Sequence, residues 1–213
     1  MSAANEANLI AIVGATGSGK SLRVKRLLES KRPRRVVIWD WKGEYAGDST
    51  SSPGELAKQL AKAGKGGACV IGYRPRKESA AVIERQFDIV CNLANAWGNC
   101  WFIAEELANV TTASRAPDGW RRLCTEGRHS ALTVIGTTQS PALVDKTFFT
   151  NATDIYCGML RAGSHKKYMS DCLDVPLDEL RILEPLQWVY RGRTGAAKRD
   201  DLAGFERGRK RKA

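Results

Sequence analysis

The stretch Leu9 to Lys31, LIAIVGATGSGKSLRVKRLLESK, decides the fold. Its first five residues form a continuous apolar run that ends in glycine, the pattern of a buried parallel strand. Gly14 to Ser21, GATGSGKS, then fits the eight-residue phosphate-loop pattern: a glycine, four residues, and a Gly-Lys-Ser triplet. Glycines permit a tight loop whose backbone N–H groups converge on phosphate, and the following helix presents its N-terminus to the same anion. Gly14, Ala15, Thr16, Gly17, Ser18, Gly19, Lys20 and Ser21 are therefore expected to bind the phosphates of ATP or GTP. Lys20 is expected to reach the β- and γ-phosphates, and the Ser21 hydroxyl to complete a Mg2+ shell. Leu22, Val24, Leu27 and Leu28 between basic residues predict a helix over Ser21 to Ser30, which Pro33 stops.

Outward from this unit, strands and helices alternate. Val36 to Trp39 reads as a second strand closed by Asp40, Gly47 to Gly54 as a loop, and Glu55 to Ala63 as a helix with Leu56 and Leu60 on one face. A third strand, Ala68 to Tyr73, leads through the basic turn Arg74-Pro75-Arg76-Lys77 into a helix from Ser79 to Ala96. Cys100 to Ala104 is a fourth strand, Gly119 to Gly127 a short helix, and Leu132 to Thr137 a fifth strand running into Thr138-Gln139-Ser140-Pro141. Asp154 to Leu160 and Gln187 to Arg191 are two further strands, separated by helical stretches around Lys166 to Leu173 and Leu177 to Leu183. This alternation predicts an α/β fold, a P-loop NTPase with a mostly parallel central sheet flanked by helices. In such sheets ligands lie beyond the C-terminal ends of the strands, where each chemical motif here falls. Residues 1–186 are expected to form the ATPase domain, and 187–213 the last strand and a basic C-terminal tail.

Trp101-Phe102-Ile103-Ala104-Glu105-Glu106 delivers two adjacent carboxylates to the edge facing the phosphate loop. Glu105 is assigned to the metal ion and Glu106 to the general base that polarises the attacking water. The competing reading is a carboxylate pair at the N-terminus of a helix starting at Leu107. Gln139 at the end of the fifth strand is expected to contact the γ-phosphate or the lytic water. Asp40, Lys42 and Glu44, in DWKGEY, stand at another strand end near the nucleotide, with a charged surface turn as the alternative. Among candidates for an arginine that neutralises transition-state charge from a neighbouring subunit, Arg128 ranks first, ahead of Arg115, Arg121 and Arg122. Arg161 is a further candidate contact. His129 and His165 have no metal-ligand companions at suitable spacing.

Of the 213 residues, 43% are hydrophobic and 27% charged, which excludes disorder along the whole chain. Lys and Arg number 34 against 23 Asp and Glu, a formal charge of +11 that favours a polyanionic partner, with an anionic membrane surface or solubility alone as the alternatives. Nine of these bases and three of the acids lie from Gln187 onward, so this last segment carries +6 and suits phosphate contacts, with a tail used only for solubility or for docking to an acidic protein as the competitor. The six cysteines show no C-x-x-C pair, and buried thiols are expected. No apolar run approaches about 18 residues, and Met1 to Asn8 has no signal-peptide pattern, so neither a membrane span nor secretion is expected.

The order GATGSGKS, VVIWDWKGEY, WFIAEEL and EGRHSALTVIGTTQSP resembles the HerA/FtsK superfamily of P-loop ATPases over roughly Asn8 to Arg161. The resemblance implies a RecA-like fold and a ring, usually a hexamer, that couples ATP and Mg2+ to movement of DNA. It implies the matching roles for Lys20, Ser21, Glu106, Gln139 and Arg128. The small size is most similar to the genome-packaging ATPases of tailless, membrane-containing icosahedral phages. That implies double-stranded DNA as load, capsid or portal-vertex proteins as partners, and work in the host cytoplasm with incorporation at a virion vertex. A departure from the family pattern is Glu105, where an aspartate is usual. The alternatives are a filamentous-phage assembly or conjugation-type ATPase, a nucleotide or small-molecule kinase, and a nucleotide-gated adaptor without turnover.

Overall fold

The computed structural model describes residues 8–202 apart from Lys77, with the backbone alone described at Arg128. Nine strands form one sheet: β1 (Asn8–Val13), β2 (Arg35–Trp39), β3 (Asp48–Thr50), β4 (Cys69–Tyr73), β5 (Trp101–Ala104), β6 (Thr133–Thr138), β7 (Asp154–Gly158), β8 (Gln187–Arg191) and β9 (Lys198–Asp201). Their spatial order is β3-β4-β2-β5-β6-β1-β7-β8-β9. The strands from β3 through β7 in that order are parallel, and β8 and β9 add an antiparallel hairpin at one end. The fold is thus the largely parallel α/β sheet expected of a P-loop NTPase. The order also places β6 between the phosphate-loop strand β1 and the carboxylate strand β5, which brings Gln139 between them.

Among the described residues seven α-helices connect the strands: α1 (Lys20–Lys31), α2 (Pro53–Ala63), α3 (Ala80–Trp97), α4 (Asp118–Glu126), α5 (Lys146–Asn151), α6 (Gly163–Leu173) and α7 (Leu177–Arg181). Side chains alternate across each strand, so β1 sends Ala11 and Val13 to one face and Ile10 and Ile12 to the other. The first face carries the larger core, where a run of rings passes from Tyr73 and Trp39 through Phe87, Trp120, Phe148 and Phe149 to Tyr168. On the second face Val24 of α1, Trp188 and Leu202 close over Ile10, Ile12, Val36, Ile38, Ile103 and Ile135. Both faces are covered, as hydrophobic parallel strands require.

Four local expectations change. The stretch expected as a loop over 47–54 contains β3, which pairs with β4. The sixth expected strand ends at Gly158, because the chain turns there to offer the Met159 carbonyl to the phosphate loop. Only a three-residue 3-10 turn, Leu107–Asn109, follows Glu106, so the reading of a helix capped by the carboxylate pair loses its helix. Lys198–Asp201, expected as part of the basic tail, is strand β9, and Leu202 after it is fully buried. The basic residues beyond Leu202 lie outside the described residues.

Candidate functional site

The phosphate loop hangs between two neighbouring strands. The Gly14 N–H donates to Thr138 O at the end of β6 at 3.1 Å, and the Ala15 N–H to Met159 O after β7 at 2.7 Å. Gly17 and Gly19 adopt φ of 83° and 97°, the left-handed region where a side chain is strained. At Gly19 a Cβ would also stand 2.7 Å from Leu186 Cδ2. Leu186 and Leu202 belong to the β8–β9 hairpin, which forms a floor under the loop: the Leu186 N–H donates to Ser18 O at 3.3 Å and the Leu202 N–H to Leu186 O at 3.0 Å. The hairpin is pinned to α1 by Asp200, 2.5 Å from the buried Arg23 guanidinium, which lies between the Tyr156 and Trp188 rings.

Lys20 Nζ is buried and donates to the Gly14 carbonyl at 2.7 Å and the Ala15 carbonyl at 3.2 Å. Burial lowers its pKa from the ordinary lysine value, and the nearby Glu106 carboxylate works against that shift. The Ser21 hydroxyl donates to Glu44 Oε2 at 2.9 Å.

From β6, Gln139 ties the loop to the carboxylates. Its Oε1 accepts from Thr16 Oγ1 at 2.7 Å, and its Nε2 donates to Glu106 Oε1 at 2.8 Å. Lys42 Nζ meets the same Glu106 oxygen at 3.1 Å. Glu106 is held in the left-handed region, φ 51° and ψ 56°, with its N–H donating to Thr137 Oγ1 at 3.4 Å. Backbone strain of this kind in a non-glycine residue persists only where the surroundings over-determine it.

Glu105 points into drier surroundings. It is 4% exposed, its Oε2 has no hydrogen-bond partner, and burial, reinforced by Asp40 and Glu44, raises its pKa to about 7. The buried Tyr45 hydroxyl lies beside it and is itself shifted up by burial. Asp40 Oδ1 accepts from the Glu44 N–H at 2.9 Å, and Asp40 Oδ2 is 3.6 Å from Arg74 Nε. The DWKGEY segment thus lies beside the carboxylates and the phosphate loop, with Lys42, Gly43 and Glu44 exposed.

Mg2+ prefers one or two carboxylates together with substrate phosphates and water. The Ser21 hydroxyl and the orphaned Glu105 oxygen fit that donor set. Among the described residues no group of three or more His, Cys, Asp or Glu could hold a metal alone.

Lys20, Ser21, Glu105, Glu106 and Gln139 thus meet at one edge with Asp40, Lys42 and Glu44. Arg128 does not join them. Its turn, Gly127–Ser130, precedes β6 at the opposite edge, about 20 Å away at the rise of a six-residue strand, and its side chain lies outside the described residues. Arg115 pairs with Glu84 and Arg122 with Asn92. Arg161 is exposed, and Arg74, also exposed, stands 3.6 Å from Asp40 Oδ2. Lys77 is outside the described residues. Cys91, Cys100, Cys124 and Cys157 are buried free thiols, as expected. Sequence reasoning missed Tyr45, the Thr16–Gln139 link and the partner of Lys42; the alternating charges of DWKGEY were the available signal.

Residues 8–118 match the family described as helicase HerA, central domain. Protein P9 of Pseudoalteromonas phage PM2 is 32% identical over 174 residues, covering 81% of this chain and 78% of that one. The genome packaging NTPase B204 from Sulfolobus turreted icosahedral virus 2, solved with sulfate, superposes with a TM-score of 0.72 at 13% identity, covering 92% of this chain and 96% of the other. Its complex with ATP-gammaS superposes with a TM-score of 0.70 at 15% identity, covering 94% and 98%. VirB4 of Thermoanaerobacter pseudethanolicus gives 0.66 at 12% identity, covering 94% and 90%. At these identities the superpositions establish a shared fold.

Proposed function

The chain belongs to the helicase HerA central-domain family of P-loop ATPases, and from that premise we propose that it is an ATP-hydrolysing motor that drives double-stranded DNA into a preformed viral capsid. The observation that carries hydrolysis is the Thr16–Gln139–Glu106 chain, which fastens a carboxylate to the phosphate loop through bonds of 2.7 and 2.8 Å. The load and the capsid are supported by the fold shared with the packaging NTPase B204, by the likeness to a phage protein, and by the formal charge of +11.

In this reading the phosphate loop, residues 14–21, cradles the ATP phosphates and Lys20 leaves its two carbonyls for the β- and γ-phosphate oxygens. Ser21 and Glu105 would hold Mg2+, which would supply charge neutralisation to the phosphates. Glu106 accepts the proton of the attacking water, and Gln139 orients that water relative to the loop. Arg128 serves the nucleotide of the next copy, because its own lies at the far edge. A head-to-tail contact of that kind closes into a ring, for which we propose a hexamer. Capsid or portal-vertex proteins receive the ring in the host cytoplasm.

Phosphate release with and without double-stranded DNA tests the proposal. E106Q is expected to lower kcat about 100- to 10,000-fold while ATP binding persists, and K20A to abolish turnover. Unchanged phosphate release by E106Q would remove the base from this reading. DNA stimulation is expected to fall steeply with added salt. Mixing R128A with K20A subunits is expected to restore part of the activity, and no recovery in well-formed mixed rings counts against action between subunits. A conjugation-type motor shares this fold through VirB4. Stimulation by single-stranded DNA alone would favour it over packaging.

A further inference from the structure

Lys42 stands where two anions can claim it. Its ammonium is 3.1 Å from Glu106 Oε1, and it is close enough to Lys20 for the two positive charges to act on one another. The phosphate-binding lysine and Lys42 therefore share one electrostatic neighbourhood. Glu106 Oε1 already takes the Gln139 amide at 2.8 Å, so Lys42 is a second donor to an oxygen that keeps a partner without it.

The segment bearing Lys42 is anchored but able to pivot. Asp40, 1% exposed, accepts the Glu44 N–H, and Tyr45 is buried, which fixes both sides. Between them Gly43 has φ +72°, a conformation that lets the Lys42 and Glu44 side chains diverge, one toward Glu106 and one toward the Ser21 hydroxyl. The Lys42 side chain is 37% exposed, so its ammonium is within reach of solvent. Attraction to Glu106 and Glu44 keeps it protonated, with its pKa raised above the ordinary lysine value despite partial burial.

We propose that Lys42 is a second cation for the γ-phosphate of the bound nucleoside triphosphate, exchanged between Glu106 and that phosphate. The inference rests on the reading that residues 14–21 bind a nucleoside triphosphate. A triphosphate draws the ammonium away from Glu106 and leaves the carboxylate with Gln139 alone. A diphosphate leaves Lys42 on Glu106. The site thereby distinguishes ATP from ADP and unloads its carboxylate only when a γ-phosphate is present.

Binding alone tests this, by titrating the full chain calorimetrically with ATPγS and with ADP in Mg2+. In K42M the preference for ATPγS over ADP is expected to shrink about tenfold, the effect of one charge-assisted hydrogen bond, with ADP affinity unchanged. K42R is expected to restore most of that preference. In E106Q, where Lys42 loses its competing carboxylate, ATPγS affinity is expected to rise about threefold, and the gain to vanish in E106Q/K42M. A K42M protein that keeps the preference, or that weakens both nucleotides equally, overturns the proposal, as does a gain in E106Q that survives in the double variant. If K20A binds both nucleotides as tightly as the unaltered chain, the phosphate-loop reading itself fails.

Discussion

The two edges of the sheet treat buried polar groups in opposite ways. At the amino edge Arg35, 7% exposed, spends its guanidinium on the carbonyls of Gly64, Gly67, Trp97, Gly98 and Asn99, at 2.8 to 3.2 Å, and stacks 3.6 Å over the Trp97 ring. One side chain thus caps the C-terminal ends of α2 and α3 and the approach to β5. At the carboxyl edge Ser18 Oγ, Asp40 Oδ2, Tyr45 Oη and Glu105 Oε2 are buried without hydrogen-bond partners. Buried polar atoms without partners cost stability, so these four lower the stability of the free fold, as Asn95 Oδ1 does near the end of α3. The amino edge secures the chain, and the carboxyl edge receives the substrate.

The comparison breaks first if Arg35 matters little. R35M takes the guanidinium from five carbonyls, of which Gly64 O keeps the Trp97 Nε1 donor, and is expected to cost roughly 3–5 kcal/mol, read as a lower urea midpoint at constant slope. At the other edge the sign reverses. Glu105 titrates near 7 in the fold and at about 4.5 unfolded, so the unfolded chain gives up its proton first and stability falls as pH rises between those values. E105Q is therefore expected to match the unaltered chain below pH 4.5 and to exceed it by about 3 kcal/mol above pH 7, in the absence of nucleotide and metal, while hydrolysis is lost.

Two smaller effects sharpen the contrast. D200N leaves the buried Arg23 without its counter-charge, and because Asp200 is 31% exposed the expected loss is roughly 1–3 kcal/mol. The same change is expected to weaken ATP binding, since the hairpin carries the floor under Gly19. T16V removes one exposed hydrogen bond and is expected to cost only about 0.5–1 kcal/mol in urea. Its kcat is nevertheless expected to fall with KM steady, because Gln139 loses its tie to the loop.

The parts of the fold set by local pattern were legible. The run before Gly14 and the triplet Gly19-Lys20-Ser21 identify β1, the loop and α1, and the Glu105–Glu106 pair marks the opposing strand. What was not legible depends on partners far along the chain. β9 reads Lys-Arg-Asp-Asp, a solvated tail by composition, and becomes a strand because β8 supplies its backbone partners and Leu202 a buried anchor. β3, Asp-Ser-Thr, likewise borrows β4. α5 has only six residues, too few for a helical period to emerge, and is fixed by burial of Phe148 and Phe149. In the site, the residue types of DWKGEY pointed to chemistry, but the choice of Glu106 by Lys42 and of Ser21 by Glu44 follows from where β2 lies in the sheet.

The floor under Gly19 also governs how the chain can be shortened. The arginines and lysines after Leu202 invite removal as a test of DNA gripping, and a cut at Arg191 would look like a convenient place. That cut takes Asp200 and Leu202 with it, leaving Arg23 a buried charge and Leu186 without its backbone partner. Such a protein is expected to lose ATP binding, and a lost response to DNA would follow from that alone. A cut placed after Leu202 keeps the hairpin and with it the floor under Gly19.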